Sequence, residues 1–493
     1  MSDPSLDIPA PTPKSPTLDT PASLASAATE EKKERERGKA EELYAAHKKI
    51  YVRSTSGSFA RWRWILMWLT QIIFLGLPWL TWNGRQAVLL HLVERKFYIF
   101  GWVFWPQDVL FLSILLIISA YSLFFFTAIA GRLWCGYACP QTVYTEIFLW
   151  IEEKIEGDHS ARAKLDKAPM SSRKFALKLA KHTIGVAFAL WTGFTFVAYF
   201  SPLKELLESV LTFGFGPWER FWIFFYATFT FVLAGSLREQ VCMFMCPYAR
   251  FQSVMFDPDT LVVTYDEARG EPRGMRHKGE DPASRGECID CGICIQVCPT
   301  GIDIRNGLQY ECIGCAACVD ACDQIMDKLK LPRGLVRYST ENALKRGWGS
   351  SEIAHHVLRL RTLIYGTILL GIIAAFIWGL ATRIPLRVDV IGDRTLAGRM
   401  VGKMVENDFT LKLMNMTESE RTFVIEVDGL EGIRVVGDKQ VTVGPAENLE
   451  VVRSVQAPED AGQVGANRIY FEVTSTDDPG VKRREKTVFQ YPK

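Results

Sequence analysis

Long apolar runs alternate with polar loops over most of the chain before residue 383. A helix needs about 20 apolar residues to cross the core of a bilayer, and five of the runs approach that length. The pattern therefore predicts five transmembrane helices, the first of them kinked by Pro78. The runs are Trp64–Trp82, Val109–Ala130, Thr183–Ser201, Phe221–Leu237 and Thr362–Thr382.

A further apolar segment, Gln86–Trp105, contains three adjacent charged residues, Glu94, Arg95 and Lys96. Charged side chains at the centre of a bilayer are costly, so this segment is a poor candidate for a span. We expect it to lie on the outer face of the membrane as an amphipathic segment.

The pattern changes again after Ile384, where apolar and polar residues alternate in short runs such as Phe423, Ile425 and Val427. Gly and Pro separate these runs. Several short alternating strands over about 110 residues are typical of an immunoglobulin-like β-sandwich. The region contains no cysteine, so the predicted sandwich has no disulfide between its sheets.

The N-terminal extension has a different composition. Residues 1–30 are rich in Pro, Ser, Thr and Ala and are predicted to be disordered, because such a segment buries too little apolar surface to fold. Residues 29–50 are rich in charged residues and Ala and are predicted to form an exposed helix. The extension lacks the basic start and apolar core of a signal peptide.

Lysine and arginine are distributed unevenly among the loops. The loop between the second and third runs holds nine of them, whereas the loop between the third and fourth holds only Lys204 before Arg220. Because cytoplasmic loops are enriched in these residues, the N-terminus and the segment between the fourth and fifth runs are predicted to be cytoplasmic. Five crossings then place the C-terminal region in the periplasm. The net charge of +2 gives no indication of a nucleic-acid partner.

All twelve cysteines lie between Cys135 and Cys322, and eight of them form two C-x2-C-x2-C-x3-C motifs. This is the spacing of bacterial ferredoxins with two [4Fe–4S] clusters, in which the fourth cysteine of each motif binds the cluster of the other motif. A zinc site or a disulfide region fits this double pattern less well. The predicted ligands are Cys288, Cys291, Cys294 and Cys322 for one cluster, and Cys298, Cys312, Cys315 and Cys318 for the other.

Reduced iron–sulfur ligands favour the cytosol for this segment, in agreement with the charge pattern.

The remaining four cysteines form two C-x3-C-P motifs, Cys135 with Cys139 and Cys242 with Cys246. Each motif follows an arginine and begins about five residues after a predicted span, which indicates a weak internal repeat. On a helix the two thiols of a motif would share one face, and the proline would end that helix. Four converging thiols suit Cu(I), zinc or an iron–sulfur cluster, and a pair could cycle between dithiol and disulfide. The alternative is that these are inert cysteines buried at helix ends.

Other candidate ligands are weaker. His182 and the pair His355 and His356 lie beside predicted spans, where histidine is more often a polar anchor than a haem or copper ligand. Met414 and Met416 share one face of a predicted strand. Thioethers bind Cu(I), but packing is the more common role of a methionine pair.

The order of these parts resembles one family, the cytochrome c oxidase accessory proteins called CcoG, FixG or RdxA. The resemblance rests on both C-x3-C-P motifs, the segment CIDCGICIQVCPTGID, a further span and the β-rich tail, and it covers the chain from about Trp62 onwards. It implies an inner-membrane iron–sulfur protein that supports assembly of the cbb3-type cytochrome oxidase by reducing Cu(II) to Cu(I). The eight ferredoxin cysteines match the family's cluster ligands, and the C-x3-C-P cysteines match its membrane-side motifs.

The predicted fold is thus a multi-domain membrane protein with a five-span helical bundle, a two-cluster ferredoxin-like insert and a C-terminal immunoglobulin-like β-sandwich. Its predicted segments are an extension (1–60), a four-span region with both C-x3-C-P motifs (61–256), a cytoplasmic two-cluster domain (257–345), a fifth membrane helix (346–383) and a periplasmic sandwich (384–493).

The leading functional hypothesis is an oxidoreductase of the bacterial inner membrane that reduces copper, with two [4Fe–4S] clusters, a copper ion at the C-x3-C-P thiols and an unidentified electron donor. Its expected partners are the lipid bilayer and either oxidase subunits or copper-delivery proteins, with no nucleic acid. One alternative is a quinol-linked electron conduit to a periplasmic respiratory reductase. Another is a non-enzymatic platform for oxidase assembly.

Overall fold

The computed structural model describes residues 49–275, 285–392 and 398–492. The predicted disorder of residues 1–30 and nearly all of the predicted helix after it lie outside these ranges. The first part of the described chain is helical. Its helices are α1 (Ser58–Gly76), α2 (Val109–Ala130), α3 (Leu133–Tyr137), α4 (Pro140–Glu156), α5 (His159–Lys167), α6 (Ser172–Val197), α7 (Leu203–Thr212), α8 (Pro217–Thr230) and α9 (Pro247–Met255).

Three helical segments of the described chain are long and apolar enough to cross a membrane, so five spans are not confirmed. The other two predicted runs are also helical, but Arg61 and Arg63 lie in α1, and α6 begins early enough to include Lys178 and Lys181. These charges lower the mean hydropathy of both helices. The three segments are Pro106–Ala130, Pro217–Leu237 and Leu360–Ala381.

Proline and π-helical backbone interrupt the regular helices. Helix α1 ends at Gly76, and Pro78 lies in the following 3-10 turn, so the proline follows the end of the helix instead of kinking it. Helix α8 continues into the π-helical segment Phe231–Leu237, and a second π-helical segment, Val241–Met245, follows it. Such segments are rare and occur often at functional sites.

The segment Gln86–Trp105 is not a span, as predicted, and it folds as an antiparallel sheet of three strands. The strands are β3 (Val88–His91), β4 (Lys96–Ile99) and β5 (Trp102–Phe104), preceded by a small hairpin of β1 (Thr81–Trp82) and β2 (Arg85–Gln86).

The segment with the double cysteine motif is built on a two-stranded antiparallel sheet, β6 (Val262–Tyr265) with β7 (Val336–Ser339). Its core contains Met326 and Leu335 together with several of the cysteines. The helices of this segment and of the following connection are α10 (Glu267–Gly270), α11 (Ile293–Gln296), α12 (Ala317–Leu329), α13 (Glu341–Arg346), α14 (Ser350–Val357) and α15 (Leu360–Ala381).

Two antiparallel sheets form the C-terminal sandwich, as the alternation predicts. Their strands are β8 (Leu386–Gly392), β9 (Arg399–Val401), β10 (Met404–Asn415), β11 (Arg421–Asp428), β12 (Arg434–Val435), β13 (Gln440–Val443), β14 (Asn448–Pro458), β15 (Gly465–Ser475) and β16 (Lys482–Tyr491). One sheet has the strand order β12-β14-β10-β8, with β9 paired to β10, and the other has the order β13-β11-β15-β16. Inward residues such as Phe409, Leu411 and Leu413 are fully buried between the two sheets.

The sandwich and the cysteine-rich segment contact opposite ends of α2. Just before its first residue, Trp105 packs against Met414 and Met416 of the sandwich. At its last turn, the backbone N–H of Leu261 donates to the carbonyl oxygen of Ile129 over 3.0 Å. Helix α2 has 22 residues, which corresponds to about 33 Å at 1.5 Å per residue. The two regions are therefore separated by about the thickness of a bilayer core.

Replacing Phe409 by Ala should destabilise the sandwich. Phe409 is 1% exposed, and its ring lies 5.2 Å from that of Phe471. We expect a loss of about 3–5 kcal/mol in the free energy of unfolding, because the substitution leaves a cavity. Limited trypsin digestion of the full-length protein measures this, since cleavage of a transiently opened domain follows its equilibrium population. Val452→Ala, at an exposed position of β14, is the control, and equal cleavage of both variants would contradict the prediction.

Candidate functional site

The eight cysteines of the double motif line two neighbouring pockets. One has about 380 Å³ of space free of atoms and is lined by Cys288, Cys291, Cys294 and Cys322. The other has about 340 Å³ and is lined by Cys298, Cys312, Cys315 and Cys318, with Cys294 at its edge. These are the two sets of four that the crossed ferredoxin spacing groups together, and their role as cluster ligands stays a prediction.

The two cysteine loops have the same backbone conformation at equivalent positions. Asp290 and Gly314, each the residue before the second cysteine, have φ of 54° and 66°. Gly292 and Ala316, each the residue after it, have φ of 63° and 56°. These left-handed residues turn each loop back on itself before α11 or α12 begins, and this brings three thiols of one motif to one pocket.

Burial controls the protonation of these thiols. It raises the pKa of Cys294 to about 11 and the pKa values of Cys312 and Cys322 to about 12. The guanidinium of Arg305 opposes this effect at Cys294. A buried thiol without a bound cation therefore keeps its proton, whereas iron binds the thiolate, so cluster binding must release protons here.

Two apolar pockets with four thiols each fit [4Fe–4S] clusters, which would supply one-electron transfer. Within the described ranges, no three His, Cys, Asp or Glu side chains converge on a single-ion site. In a [4Fe–4S] cluster each of the four thiolates binds a different iron atom, so they need not converge on one point. The absence of a single-ion site therefore does not bear on cluster binding.

Each C-x3-C-P motif spans the junction between two helical segments. Cys135 lies in α3 and Cys242 in the second π-helical segment, whereas Cys139 and Cys246 immediately precede α4 and α9. The prolines are the first residues of α4 and α9, where the missing N–H has no helical partner to lose. The prediction that both thiols lie on one helix ended by the proline was therefore wrong.

The structure brings the two C-x3-C-P motifs together. The amide of Gln141, in the helix after the first motif, donates over 2.8 Å to the carbonyl of Leu233, shortly before the second. Burial raises the pKa values of Cys135 and Cys242 to about 12. The nearby thiol of Cys139 is the second-largest cause of the raised pKa at both residues. Cys246 also contributes at both positions. All four thiols thus lie close enough to influence one another.

The first C-x3-C-P motif contacts the loop of the second cysteine pocket. A Cβ atom at Gly136 would lie 2.9 Å from the carbonyl oxygen of Gly314 and 3.0 Å from the Cα and N atoms of Cys315. Only a glycine permits this backbone approach. Cys135 and Cys242 also pack against the apolar cluster that contains Cys315 and Ala317. The membrane-side thiols are thus direct neighbours of one cluster pocket.

Arg132 links the first C-x3-C-P motif to the cysteine-rich segment by hydrogen bonds. Its guanidinium donates to the carbonyl oxygens of Tyr310 and of Cys312, and over 2.5 Å to that of Ala249, in helix α9 just after the second motif. Tyr137 and Tyr338 are neighbours across the same contact, and the hydroxyl of Tyr338 donates to the carbonyl of Gly314. The spacing of the cysteines indicates none of these roles, although Gly136 lies inside the motif CGYACP.

The weaker candidates pack against aromatic rings. The ring of His182 lies 6.1 Å from that of Phe231, and His356 stacks on Trp348 with the ring centres 3.9 Å apart. Met414 and Met416 are buried with Trp105. These contacts agree with the packing role favoured for the methionines, and ligation by the histidines stays untested.

Three family models match parts of the chain. A "4Fe-4S dicluster domain" matches residues 237–341, and the "IG-like fold at C-terminal of FixG" matches residues 376–492. A "4Fe-4S binding domain" matches residues 112–156, which include Cys135 and Cys139 of the first C-x3-C-P motif.

Three curated proteins are similar over most of their length. Protein RdxA of Cereibacter sphaeroides is 36% identical over 89% of this chain and 92% of its own. Nitrogen fixation protein FixG of Rhizobium meliloti is 38% identical over 82% and 84%, and protein RdxB of C. sphaeroides is 39% identical over 78% and 83%. The chain therefore belongs to the FixG family, a family of proteins with 4Fe-4S ferredoxin-type domains and an immunoglobulin-like C-terminal domain.

Proposed function

We propose that this chain is a membrane-bound electron-transfer protein that reduces Cu(II) to Cu(I) and so supports assembly of a cbb3-type cytochrome oxidase. The observation that supports this most strongly is the contact of the first C-x3-C-P motif with the backbone of Gly314 and Cys315. It provides a short covalent and van der Waals path from one cluster pocket to four clustered thiols.

The proposed ligands are those of the crossed ferredoxin pattern. Cys288, Cys291, Cys294 and Cys322 hold one [4Fe–4S] cluster, and Cys298, Cys312, Cys315 and Cys318 hold the other. Each cluster, when bound, accepts and releases one electron at a time. The chain's own contribution is burial of the thiolates and the placement of Arg305 beside Cys294, which favours negative charge in the first pocket.

The C-x3-C-P thiols are the proposed site of the copper substrate. Cu(II) takes one electron to become Cu(I), and soft thiolate ligands favour the reduced ion. Whichever of Cys135, Cys139, Cys242 and Cys246 bind the ion would thus stabilise the product relative to the substrate, although no three of them converge on one ion in this structure. An iron–sulfur cluster at these thiols is the main alternative, and the match of residues 112–156 to a 4Fe-4S model is compatible with it.

The proposed orientation has the ferredoxin segment in the cytoplasm and the sandwich in the periplasm. Their positions at opposite ends of α2 support a placement on opposite sides of the membrane. The nine Lys and Arg residues between positions 131 and 182 favour the cytoplasm for the ferredoxin end. Five crossings, including α1 and α6, remain part of this proposal.

Double substitutions test the crossed ligand assignment. Cys291→Ser with Cys322→Ser should remove about four irons per chain, because both residues belong to one cluster, whereas Cys291→Ser with Cys298→Ser should remove about eight. Iron and acid-labile sulfide counts on anaerobically purified protein measure this. If each motif instead held its own cluster, the two results would be exchanged.

Removing one membrane-side thiol should separate copper reduction from cluster content. In Cys242→Ala the apolar packing is largely kept but a copper ligand is lost. We expect dithionite-reduced, desalted protein to lose at least about tenfold in Cu(II) reduction, as is typical when a metal site is disrupted. A Cu(I)-specific chromogenic chelator measures the product, and iron counts should equal those of the wild type.

Met245→Leu, at an exposed position of the same π-helical segment, is the matched control and should reduce copper normally. Wild-type rates in Cys242→Ala would exclude this thiol from the reaction.

A methyl group at Gly136 should force the two loops apart. The overpacking should cost about 1–3 kcal/mol in stability, and electrons should pass from the reduced protein to Cu(II) several-fold more slowly. Stopped-flow absorbance of the iron–sulfur chromophore on mixing with Cu(II) measures the rate. Gly371→Ala, where a Cβ atom meets nothing within 4 Å, is the control. Unchanged kinetics in Gly136→Ala would rule out this junction as the electron path.

A further inference from the structure

We infer that a pocket beside the second cluster position is the binding site of a membrane quinol that supplies the electrons. This inference rests on the proposed function, since the clusters are the acceptors. The pocket lies between the segment 52–55, the start of α1 and the second half of α4.

The floor of this pocket belongs to the cysteine-rich segment. Val297 and Pro299 line it, and these are the two neighbours of Cys298 in the chain. Ala317, the neighbour of Cys318, also lines it. A molecule in the pocket would therefore be one residue away from two predicted ligands of the second cluster. No other substance needs to carry the electron between them.

The walls combine aromatic and apolar side chains with a similar number of polar and charged ones. Trp64, Trp150 and Leu149 provide apolar surface. The carboxylate of Glu146 is paired with Arg63 over 2.7 Å, and that of Glu153 accepts from the hydroxyl of Ser54 over 2.9 Å. About half of the lining residues are apolar and half are polar or charged, so the pocket offers both apolar surface for a ring and groups that hydrogen-bond to it.

Two buried polar atoms in the wall have no partner, Oγ1 of Thr55 and Nε of Arg162. Arg162 is only 4% exposed, and its two terminal nitrogens donate to Glu152 and to the carbonyl oxygen of Val52. Its Nε–H, like the hydroxyl of Thr55, is thus a donor with no acceptor among the residues that the structure describes. Because an unsatisfied buried donor is costly, both favour a ligand with hydrogen-bond acceptors.

The outer surface next to the pocket is suited to lipid. Trp62, Ile65 and Leu69 on α1 and Trp150 on α4 are large apolar side chains that no other part of the described chain covers. A quinone meets both requirements, because its ring has two carbonyl oxygens as acceptors and its isoprenoid tail partitions into lipid. A free anion such as phosphate would satisfy the donors but would not use the apolar wall.

The reaction balances within this chain. Oxidation of one quinol to quinone breaks two O–H bonds and releases two protons and two electrons. Glu153, at the edge of the pocket, accepts the protons in turn and passes them to water. Cys298, beside the pocket, would hold one of the two clusters, and two bound clusters would supply acceptors for the two electrons. The electrons would in turn reduce two Cu(II) to two Cu(I).

Binding of decylubiquinone to the detergent-solubilised holoprotein tests the inference. The dissociation constant of Thr55→Val, which removes only the hydroxyl, should rise about three- to tenfold, as expected for one hydrogen bond. Thr367→Val, the same exchange at an exposed position of α15, should bind as the wild type does. A photoreactive azidoquinone should label residues 52–64 and 146–162.

Absence of saturable binding, labelling elsewhere, equal affinities of the two variants, or displacement of the quinone by inorganic phosphate would each overturn the inference. The assay contains no copper, and the Cys242→Ala variant should bind quinone normally. Copper reduction after dithionite treatment bypasses the quinol. Failure of quinone binding and failure of copper reduction are therefore distinguishable.

Discussion

The organisation of this protein depends on a close backbone contact between two regions that are far apart in sequence. At Gly136 the first C-x3-C-P motif approaches the loop of Gly314 and Cys315 so closely that a methyl group would not fit. The guanidinium of Arg132 holds the contact by donating to carbonyl groups on both sides. One of these carbonyls belongs to the cysteine loop at Cys312 and the other to helix α9 at Ala249. The contact therefore couples the geometry of a cluster pocket to that of the membrane helices.

A second contact, at the N-terminus of α1, also connects the cysteine-rich segment to the membrane helices. The carboxylate of Asp320, in α12 between Cys318 and Cys322, accepts from the backbone N–H of Ala60 over 2.7 Å at the start of α1. It satisfies an N–H group that has no partner within the helix and places negative charge at the positive end of the helix dipole. Gly57 leaves room for it, since a Cβ atom there would overlap the carboxylate. The ferredoxin segment is thus attached at two separate points to the helices that surround the thiols.

The parts of this architecture that sequence predicts are those with local signals. Cysteine spacing groups the eight thiols, since loop geometry fixes three ligands of each pocket within seven residues. Alternation likewise predicts the sandwich. The break at each C-x3-C-P motif was not predicted, because the proline is equally compatible with the end of one helix and the start of another. The pocket of Thr55 and Arg162 left no sequence signal, because its walls come from segments more than 200 residues apart.

The two C-x3-C-P motifs differ in the residues between their cysteines. The first has Gly136 and Tyr137 between its cysteines, and both face the ferredoxin segment. The second has Met243, Phe244 and Met245, of which Phe244 is 59% exposed. A methionine at the position of Gly136 would exclude the backbone contact, so the close backbone approach is specific to the first motif, although Cys242 also packs against the apolar cluster of Cys315. In the proposed reaction, electrons therefore arrive through the first motif, and the second is the more open approach for copper.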